Sequence, residues 1–218
     1  KTLEAETGQP VGLKQVSNIR LARTPDRMDE FWYYKGIAET IGVKVNVLTP
    51  AQVKEIWPLA SVEGILGAIQ HPDDGYIQPA DLTQALAKGA RNRGAEIYRH
   101  TTVTAIVRTP SGEWQVVTDK GTITCEHVVT ASGNFARQTG RMLGLDVPVI
   151  PVEHQYVVTE PHPAIVERQK KGLPEMGVLR ESDSSWYMRE ENGGLILGPY
   201  EPGAPCCYVD GPSEASEF

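Results

Sequence analysis

Apolar and polar residues alternate along much of the second half of the chain, which is the pattern of half-buried β-strands. Four such runs follow one another between residues 96 and 125 and are separated by short turns. They cover residues 96–100, 103–109, 114–119 and 122–125. We predict that three of these runs form a β-meander. Further strands are predicted over residues 127–131, 149–159, 177–181, 185–189 and 195–198.

Helical signals dominate the first half of the chain. Thr24 and Pro25 supply an N-cap and an N1 proline, and they predict a helix that ends near Gly42. Thr49 and Gln52 have capping-box spacing, which predicts a second, short helix. Other helices are predicted over residues 1–8, 80–93 and 135–143, and short strands over residues 16–22, 43–48 and 65–69.

The composition is that of a folded protein without attraction to polyanions. Hydrophobic residues make up 40% of the 218 residues, and the formal net charge is −7. Negative charge disfavours binding to nucleic-acid phosphates and to anionic lipid. No apolar run approaches the roughly 20 residues of a membrane span. We therefore expect neither a nucleic-acid partner nor a membrane partner.

The cysteines indicate the cellular compartment, and the amino terminus indicates whether the chain is part of a longer protein. Cys125, Cys206 and Cys207 are too few for a disulfide framework or a paired zinc motif. A reducing compartment is expected, which is the cytoplasm or, in a eukaryote, the mitochondrial matrix. The chain begins at Lys1 without methionine and without a secretory signal, so we expect it to start inside a longer protein.

One histidine stands out on the predicted strand 149–159. Alternation places Ile150, Val152, His154 and Tyr156 on one face of this strand. A partly desolvated histidine has its protonated form disfavoured and can act as a base near neutral pH. The alternative is a core histidine that is hydrogen-bonded to Tyr156 or to the backbone.

A second candidate lies on the strand 185–189, where Tyr187 and Arg189 share a face. A phenol and a guanidinium at this spacing can hold a small carboxylate. The alternative is a solvated strand face, which Glu190 and Glu191 favour for Arg189. Tyr187 is therefore the better candidate.

Several motifs with a known chemistry are missing from the sequence. It contains no G-x-G-x-x-G, no G-x-x-x-x-G-K-[ST], no G-x-S-x-G and no H-E-x-x-H, and its five histidines are scattered. No metal site is predicted. A turn of small residues around Gly133, between a predicted strand and a predicted helix, would let a ligand approach the backbone closely.

The order of several weak motifs resembles the dimethylglycine and sarcosine dehydrogenases, which are FAD-dependent oxidoreductases of the D-amino-acid oxidase superfamily. The resemblance extends over nearly the whole chain up to about Glu201. Its motifs are His71-Pro72-x-Asp74-Gly75-Tyr76-Ile77-x-Pro79, Ala131-Ser132-Gly133-x-Phe135-Ala136-Arg137, His154-Gln155-Tyr156-Val157 and Gly198-Pro199-Tyr200-Glu201.

The resemblance implies an α+β fold, in which an antiparallel-sheet substrate domain is combined with part of an FAD-binding α/β domain. Residues 1–71 and 147–218 are expected to form the substrate domain, and residues 72–146 the partial FAD-binding domain. The chain is expected to be a central fragment, with the glycine fingerprint before Lys1 and the folate-binding part of longer members after Phe218.

The resemblance also implies roles for individual residues. His154 and Tyr187 fall on the family's active-site histidine and tyrosine. Val103 matches the position whose backbone meets the adenine of FAD, although an ordinary core valine is the alternative. Gly133 would permit close approach of the turn, and Phe135 stands where relatives usually carry tryptophan beside the cofactor.

The function implied is FAD-dependent oxidative N-demethylation of a small N-methyl amino acid such as dimethylglycine or sarcosine. Oxygen or an electron-transfer flavoprotein would accept the electrons, and folate would serve the full-length protein. The alternative is a non-catalytic binding or interaction module that keeps the substrate-domain sheet without flavin. A folate-dependent aminomethyl transferase ranks last, because we find no segment for a folate domain.

Overall fold

The computed structural model describes residues 2–209, whose contacts divide the chain into two units. The first unit contains the described residues up to Gly94 together with His154–Pro202. The second unit contains Ala95–Glu153 and the described residues from Gly203 onward.

Six α-helices and ten β-strands are present in the described residues. The helices are α1 (Leu3–Thr7), α2 (Pro25–Thr40), α3 (Pro50–Ile56), α4 (Pro79–Asn92), α5 (Ala136–Arg141) and α6 (Pro163–Lys170). The strands are β1 (Asn18–Ala22), β2 (Asn46–Leu48), β3 (Gly67–His71), β4 (Val103–Arg108), β5 (Trp114–Thr118), β6 (Gly121–Cys125), β7 (Val157–Val158), β8 (Val178–Glu181), β9 (Trp186–Glu191) and β10 (Gly194–Pro199). A single 3₁₀ turn, Gly133–Phe135, precedes α5.

The first unit is built on a seven-stranded sheet with the strand order β2-β3-β1-β8-β9-β10-β7. All neighbouring strands run antiparallel except β1 and β8, which pair in parallel. The second unit contains a separate three-stranded meander, β4-β5-β6. The predicted α+β class with antiparallel sheets is therefore confirmed.

Side chains of the large sheet alternate between two faces. One of these, which we call the core face, carries Ile19, Leu21 and Leu179. These residues are almost fully buried and form one cluster with Val53 of α3 and Ile165 of α6. Helices α3 and α6 thus cover the core face of the sheet.

The opposite face, which we call the α2 face, is covered over β1, β2 and β3 by helix α2. Phe31 and Ala38 of α2 pack there on Ala22, Val45 and Ile69, and all five are buried. The α2 face continues across β8, β9 and β10, where polar residues such as Arg180 lie among apolar ones such as Val178. The candidate site described below lies where the two halves meet.

Local signals identified the starts of α2 and α3 correctly. The Thr24 hydroxyl accepts a hydrogen bond from the Arg27 backbone N–H (3.2 Å), and α2 begins at Pro25 as predicted. The Thr49–Gln52 capping box is present in full at the start of α3. The predicted meander is also confirmed.

Three predicted strands are wrong in whole or in part. Residues 96–100 and 127–131 contain no strand, and of residues 149–159 only Val157 and Val158 pair in a sheet. A strand needs a partner to satisfy its backbone groups, and Pro151 cannot donate a ladder hydrogen bond. Helix α6 was not predicted, although Pro163 stands at its N1 position.

The two units have bounds that differ from those of the predicted domains. The units divide after Gly94, Glu153 and Pro202, whereas the predicted domains divide after residues 71 and 146. Helix α4 packs on α1, which keeps residues 72–94 with the first unit. The assignment of a substrate role and an FAD-binding role to the predicted domains stays a prediction. Residue 1 and residues 210–218 of the predicted substrate domain lie outside the described part of the chain.

Candidate functional site

A cavity of about 670 Å³ opens on the α2 face within the first unit, where the half covered by α2 meets the uncovered half. Its wall is formed by residues of β1, β8 and β9, by the end of β3, by one turn of α2 and by Tyr200. Most of the side chains that line it are polar or aromatic. A concave site with a few converging polar groups is the usual form of a small-molecule site.

Strand register places four residues of this face in one row. Arg20 of β1 is paired with Arg180 of β8, Arg180 with Tyr187 of β9, and Tyr187 with Gly198 of β10. Neighbouring strands lie about 4.8 Å apart, so consecutive members of the row are close neighbours. The row brings together residues that are up to 178 positions apart in the chain, counted from Arg20 to Gly198.

Gly198 lets the Tyr187 ring lie flat across β10. A Cβ atom on Gly198 would lie 2.3 Å from Cζ of Tyr187 and 2.4 Å from its hydroxyl oxygen. Such distances are far below van der Waals contact, so only glycine fits here without moving the ring. Gly198 therefore permits this position of the Tyr187 side chain.

Three rings connect the two residues that the sequence analysis assigned to catalysis. The ring centroids of Tyr187 and Tyr200 are 5.4 Å apart, and those of Tyr200 and His154 are 5.2 Å apart. His154 Nδ1 lies 3.5 Å from Oε2 of Glu201. The pKa of Glu201 is lowered, first by its own backbone N–H and then by His154. The structure thus brings His154 and Tyr187 into one cluster.

The surroundings of His154 differ from those predicted. It was expected on the apolar face of a long strand, but the strand is absent at this position and Ile150, Val152 and Tyr156 are exposed. Its contacts come instead from the Tyr200 ring and the Glu201 carboxylate, and 30% of its side chain is exposed. The reason is that residues 151–153 hydrogen-bond with residues 205–207, whereas Val157 and Val158 pair with β10, so no continuous strand runs through His154.

Strand β9 presents two different faces, as predicted. Trp186 and Met188 pack against the cluster on the core face, and Tyr187 lies on the other face and lines the cavity, to which Trp186 also contributes. Arg189 is not among the residues that line the cavity. Its guanidinium lies 4.1 Å from the centre of the Tyr76 ring and forms an ion pair with Glu191.

The residues at the other end of the cavity were not predicted as site residues. There His71 Nε2 lies 3.2 Å from the Tyr34 hydroxyl, and Asn18 donates a hydrogen bond to Asp74 (3.1 Å). Burial lowers the pKa of His71, although the nearby Asp74 acts in the opposite direction. His71 and Asp74 belong to a motif quoted above, but only the pairing of β1 with β3 places Asn18 beside them.

Arg20 and Arg180 were also missed. Each follows a buried apolar residue within its strand, Ile19 in β1 and Leu179 in β8, which is the only signal that the sequence offers. The parallel pairing of β1 with β8 is not encoded in any local pattern. No sequence spacing could therefore have placed the two arginines side by side.

The residues predicted to contact a cofactor lie in the second unit. Gly133 has a φ of +54°, and a Cβ at this position would meet no atom within 4 Å. Phe135 ends the same 3₁₀ turn and is 37% exposed. Val103 begins β4 and is 36% exposed, so it is not a fully buried core valine. An open glycine beside an accessible aromatic ring fits a planar cofactor approaching this turn.

Two further properties concern the described residues only. No helix within residues 2–209 is both long enough and apolar enough to cross a bilayer. The same part of the chain contains no cluster of three or more His, Cys, Asp or Glu side chains arranged to hold a metal ion.

Comparisons with known proteins agree on one family. Residues 1–216 match the family described as FAD dependent oxidoreductase. Among curated proteins, the chain is 43% identical to the mitochondrial dimethylglycine dehydrogenase of Rattus norvegicus over 199 residues, covering 91% of this chain and 23% of that protein. It is 34% identical to the mitochondrial sarcosine dehydrogenase of Homo sapiens, covering 92% of this chain and 22% of that protein.

A solved structure supports the same fold. Glycine oxidase from Geobacillus kaustophilus superposes with a TM-score of 0.72 at 30% sequence identity, covering 94% of this chain and 51% of that one. The resemblance inferred from the ordered motifs is confirmed by these matches. The chain spans less than a quarter of the length of the two curated relatives named above.

Proposed function

Because the chain belongs to the family of FAD dependent oxidoreductases, we propose that it forms part of an enzyme that oxidises a small N-methyl amino acid of the dimethylglycine or sarcosine type. The observation that carries this proposal is the chain of rings from Tyr187 through Tyr200 to His154 beside the cavity. The names of two relatives, dimethylglycine dehydrogenase and sarcosine dehydrogenase, support the substrate class.

His154 has the task of accepting a proton from the substrate's ammonium group. Glu201 lies beside Nδ1, and a hydrogen bond there would leave the lone pair on Nε2. The amine must be free for oxidation, because a protonated nitrogen has no lone pair to support loss of hydride from the methyl carbon. Tyr187 donates its O–H to the substrate carboxylate and so fixes the orientation of the amino acid.

Val103, Gly133 and Phe135 are the residues of this chain that would contact FAD. The open backbone at Gly133 and the accessible ring of Phe135 support this assignment. FAD, when bound, accepts the hydride equivalent from the methyl carbon. Water then hydrolyses the resulting iminium to formaldehyde and the demethylated amine.

Three finer assignments stay predictions. They are the electron acceptor, which is oxygen or an electron-transfer flavoprotein, the use of folate by the full-length protein, and the compartment. The relatives named above are mitochondrial, which supports the matrix if the organism is a eukaryote.

Replacing His154 by alanine tests the proposal in the flavin-loaded protein. Loss of a positioned base typically costs 10²–10⁴-fold in rate, so we expect turnover of dimethylglycine and sarcosine to fall by about that much. Flavin content, measured by absorbance, should stay at the wild-type value. His127→Ala is the matched control, because His127 is exposed and lies outside the cavity wall.

Equal loss of flavin and turnover in His154→Ala would assign His154 a structural role. A wild-type protein that oxidises neither substrate would contradict the proposed function itself, and a protein without flavin would favour a non-catalytic binding module.

A further inference from the structure

We propose that the buried carboxylate of Glu181 is a positioning group, which holds the turn between β8 and β9 in the shape that places Tyr200 beside its two partner rings. The partner rings are those of Tyr187 and His154. The turn consists of residues 182–185, which follow Glu181 at the end of β8. The effect on catalysis rests on the proposed function, whereas the positioning rests on the hydrogen bonds of the turn.

Glu181 is a charged residue that is almost completely buried, with only 1% exposed. Burial of a carboxylate is costly unless the charge is hydrogen-bonded. One oxygen of this carboxylate accepts a hydrogen bond from the backbone N–H of Asp183 (2.9 Å), and the other accepts one from that of Ser184 (2.7 Å). Both oxygens are therefore used to hold the backbone of the turn.

The last residue of the turn, Ser185, has a backbone conformation that its surroundings must maintain. Its φ is +54°, in the left-handed region, which is unfavourable for a residue with a side chain. Such a conformation persists where surrounding contacts determine it, and it is frequent at functional sites. The Ser185 carbonyl in this conformation accepts a hydrogen bond from the Tyr200 backbone N–H (2.6 Å). The turn thus holds the backbone of Tyr200.

The position of Tyr200 decides how the candidate site is arranged. Its ring centroid is 5.4 Å from that of Tyr187 and 5.2 Å from that of His154. A shift of the Tyr200 backbone would move its ring away from both partners and leave one side of the His154 ring uncovered. The hydrogen bonds therefore connect Glu181 to both candidate residues through Tyr200.

Side chains outside the turn attach it to the rest of the first unit. Asp183 accepts hydrogen bonds from Nε (3.2 Å) and Nη2 (2.7 Å) of Arg27 on α2. Arg20 of β1 donates a hydrogen bond to the Ser182 hydroxyl (3.0 Å). A substitution at Glu181 is therefore expected to change the shape of the turn without detaching it from α2 and β1.

Strand β9 carries a matched carboxylate in Glu190, which is 3% exposed. It accepts hydrogen bonds from the Met176 backbone N–H (2.8 Å) and from the side-chain amide of Gln169 (3.4 Å). These two partners belong neither to the turn nor to the wall of the cavity. Glu181→Gln and Glu190→Gln thus each neutralise a buried carboxylate, but only Glu181→Gln disturbs the turn.

The first test measures the rate of flavin reduction by dimethylglycine, without oxygen, in the flavin-loaded protein. In Glu181→Gln an amide NH₂ replaces one acceptor oxygen and faces a backbone N–H, so the turn has to shift. Misplacement by about 1 Å can cost about 100-fold in rate, and we expect a loss of roughly 10- to 100-fold. Glu190→Gln should keep the wild-type rate. Glu181→Gln should cause no further loss in Tyr200→Ala, because both changes act through one ring.

Chemical modification of His154 supplies a readout that does not depend on catalysis. Diethyl pyrocarbonate modifies histidine rings that it can reach, and mass spectrometry of peptides measures the rate at each histidine. Glu181→Gln and Tyr200→Ala should both raise the rate at His154, because the ring loses its cover. Glu190→Gln should leave this rate unchanged, and the exposed His127 serves as the internal reference.

Two variants of Ser185 test the same connection without changing the buried carboxylate. Ser185→Thr is β-branched and disfavours a positive φ, so it should reproduce the loss of rate seen in Glu181→Gln. Ser185→Gly adopts a positive φ readily and should stay near the wild-type rate.

Each outcome decides for or against the positioning role. Equal losses of rate in Glu181→Gln and Glu190→Gln, or a full further loss when Glu181→Gln is added to Tyr200→Ala, would overturn it and leave the proposed function intact. If Glu181→Gln does not fold, the Ser185 pair decides, and equal rates in Ser185→Thr and Ser185→Gly overturn the role.

A wild type that oxidises neither dimethylglycine nor sarcosine would contradict the proposed function, and the reactivity of His154 would then decide alone. An increase in Glu181→Gln that Glu190→Gln lacks supports the positioning role. Equal reactivity of His154 in Glu181→Gln and the wild type overturns it.

Discussion

The two halves of the α2 face use the same sheet for different purposes. Over β1, β2 and β3 the face is covered by α2, and Phe31 and Ile69 are each only 1% exposed. Over β8, β9 and β10 the corresponding positions are Arg180, Tyr187 and Gly198, which border the cavity or support its wall. One half contributes stability, and the other gives up burial in order to present polar groups to a ligand.

The largest effect is expected in the covered half. Phe31→Ala removes a buried aromatic ring and leaves a cavity between α2 and the sheet, which should cost about 3–5 kcal/mol in the free energy of unfolding. Denaturant titration measures this loss. Tyr33→Ala on the same helix is the control, because Tyr33 is 74% exposed and should change stability by less than about 0.5 kcal/mol. Similar losses in the two variants would mean that α2 does not cover this half as described.

A smaller effect should mark the border between the halves, where His71 ends β3 and lines the cavity. Burial lowers the pKa of His71 in the folded chain, so the unfolded chain binds more protons near the usual histidine pKa of about 6.5. Its contribution to stability is present above that pH and is lost as the pH falls through the lowered folded value. The free energy of unfolding should therefore decline less steeply from about pH 7 to pH 5 in His71→Gln than in the wild type.

His127→Gln is the control for this pH dependence and should keep the wild-type slope, because His127 is exposed. Identical slopes in His71→Gln and the wild type would show that burial at the border does not extend to His71.

The difference between the halves also explains which features the sequence could predict. Helix starts at Thr24 and Thr49 depend on residues within one turn, so capping chemistry identified them correctly. The meander was equally accessible, because each of its strands pairs with the next one along the chain. The same locality shows why residues 127–131 were assigned wrongly: the apolar pattern is present, but no strand pairs with it.

The cavity depends on contacts between residues that are far apart in the sequence, and no local sequence pattern predicts such contacts. Arg20 meets Arg180 through a parallel pairing of strands that are distant in the chain, and Tyr200 connects two candidates from separate segments. His154 and Tyr187 were found through the family resemblance together with their residue types. The arginines carried no comparable motif, so only the sheet register could reveal them.

We expect the uncovered half of the α2 face to contribute to substrate binding and little to stability. The substitution Gly198→Ala tests this most directly. The added Cβ forces the Tyr187 ring out of its place, and displacement of a positioning group by about 1 Å can cost about 100-fold in rate. We expect Gly198→Ala to lower the rate of flavin reduction by dimethylglycine, measured without oxygen, by about this factor. Its loss of unfolding free energy should be far smaller than that of Phe31→Ala. Gly36→Ala, whose added Cβ meets no atom within 4 Å, should leave the rate unchanged. A wild-type rate in Gly198→Ala, or a loss of stability as large as that of Phe31→Ala, would contradict the account.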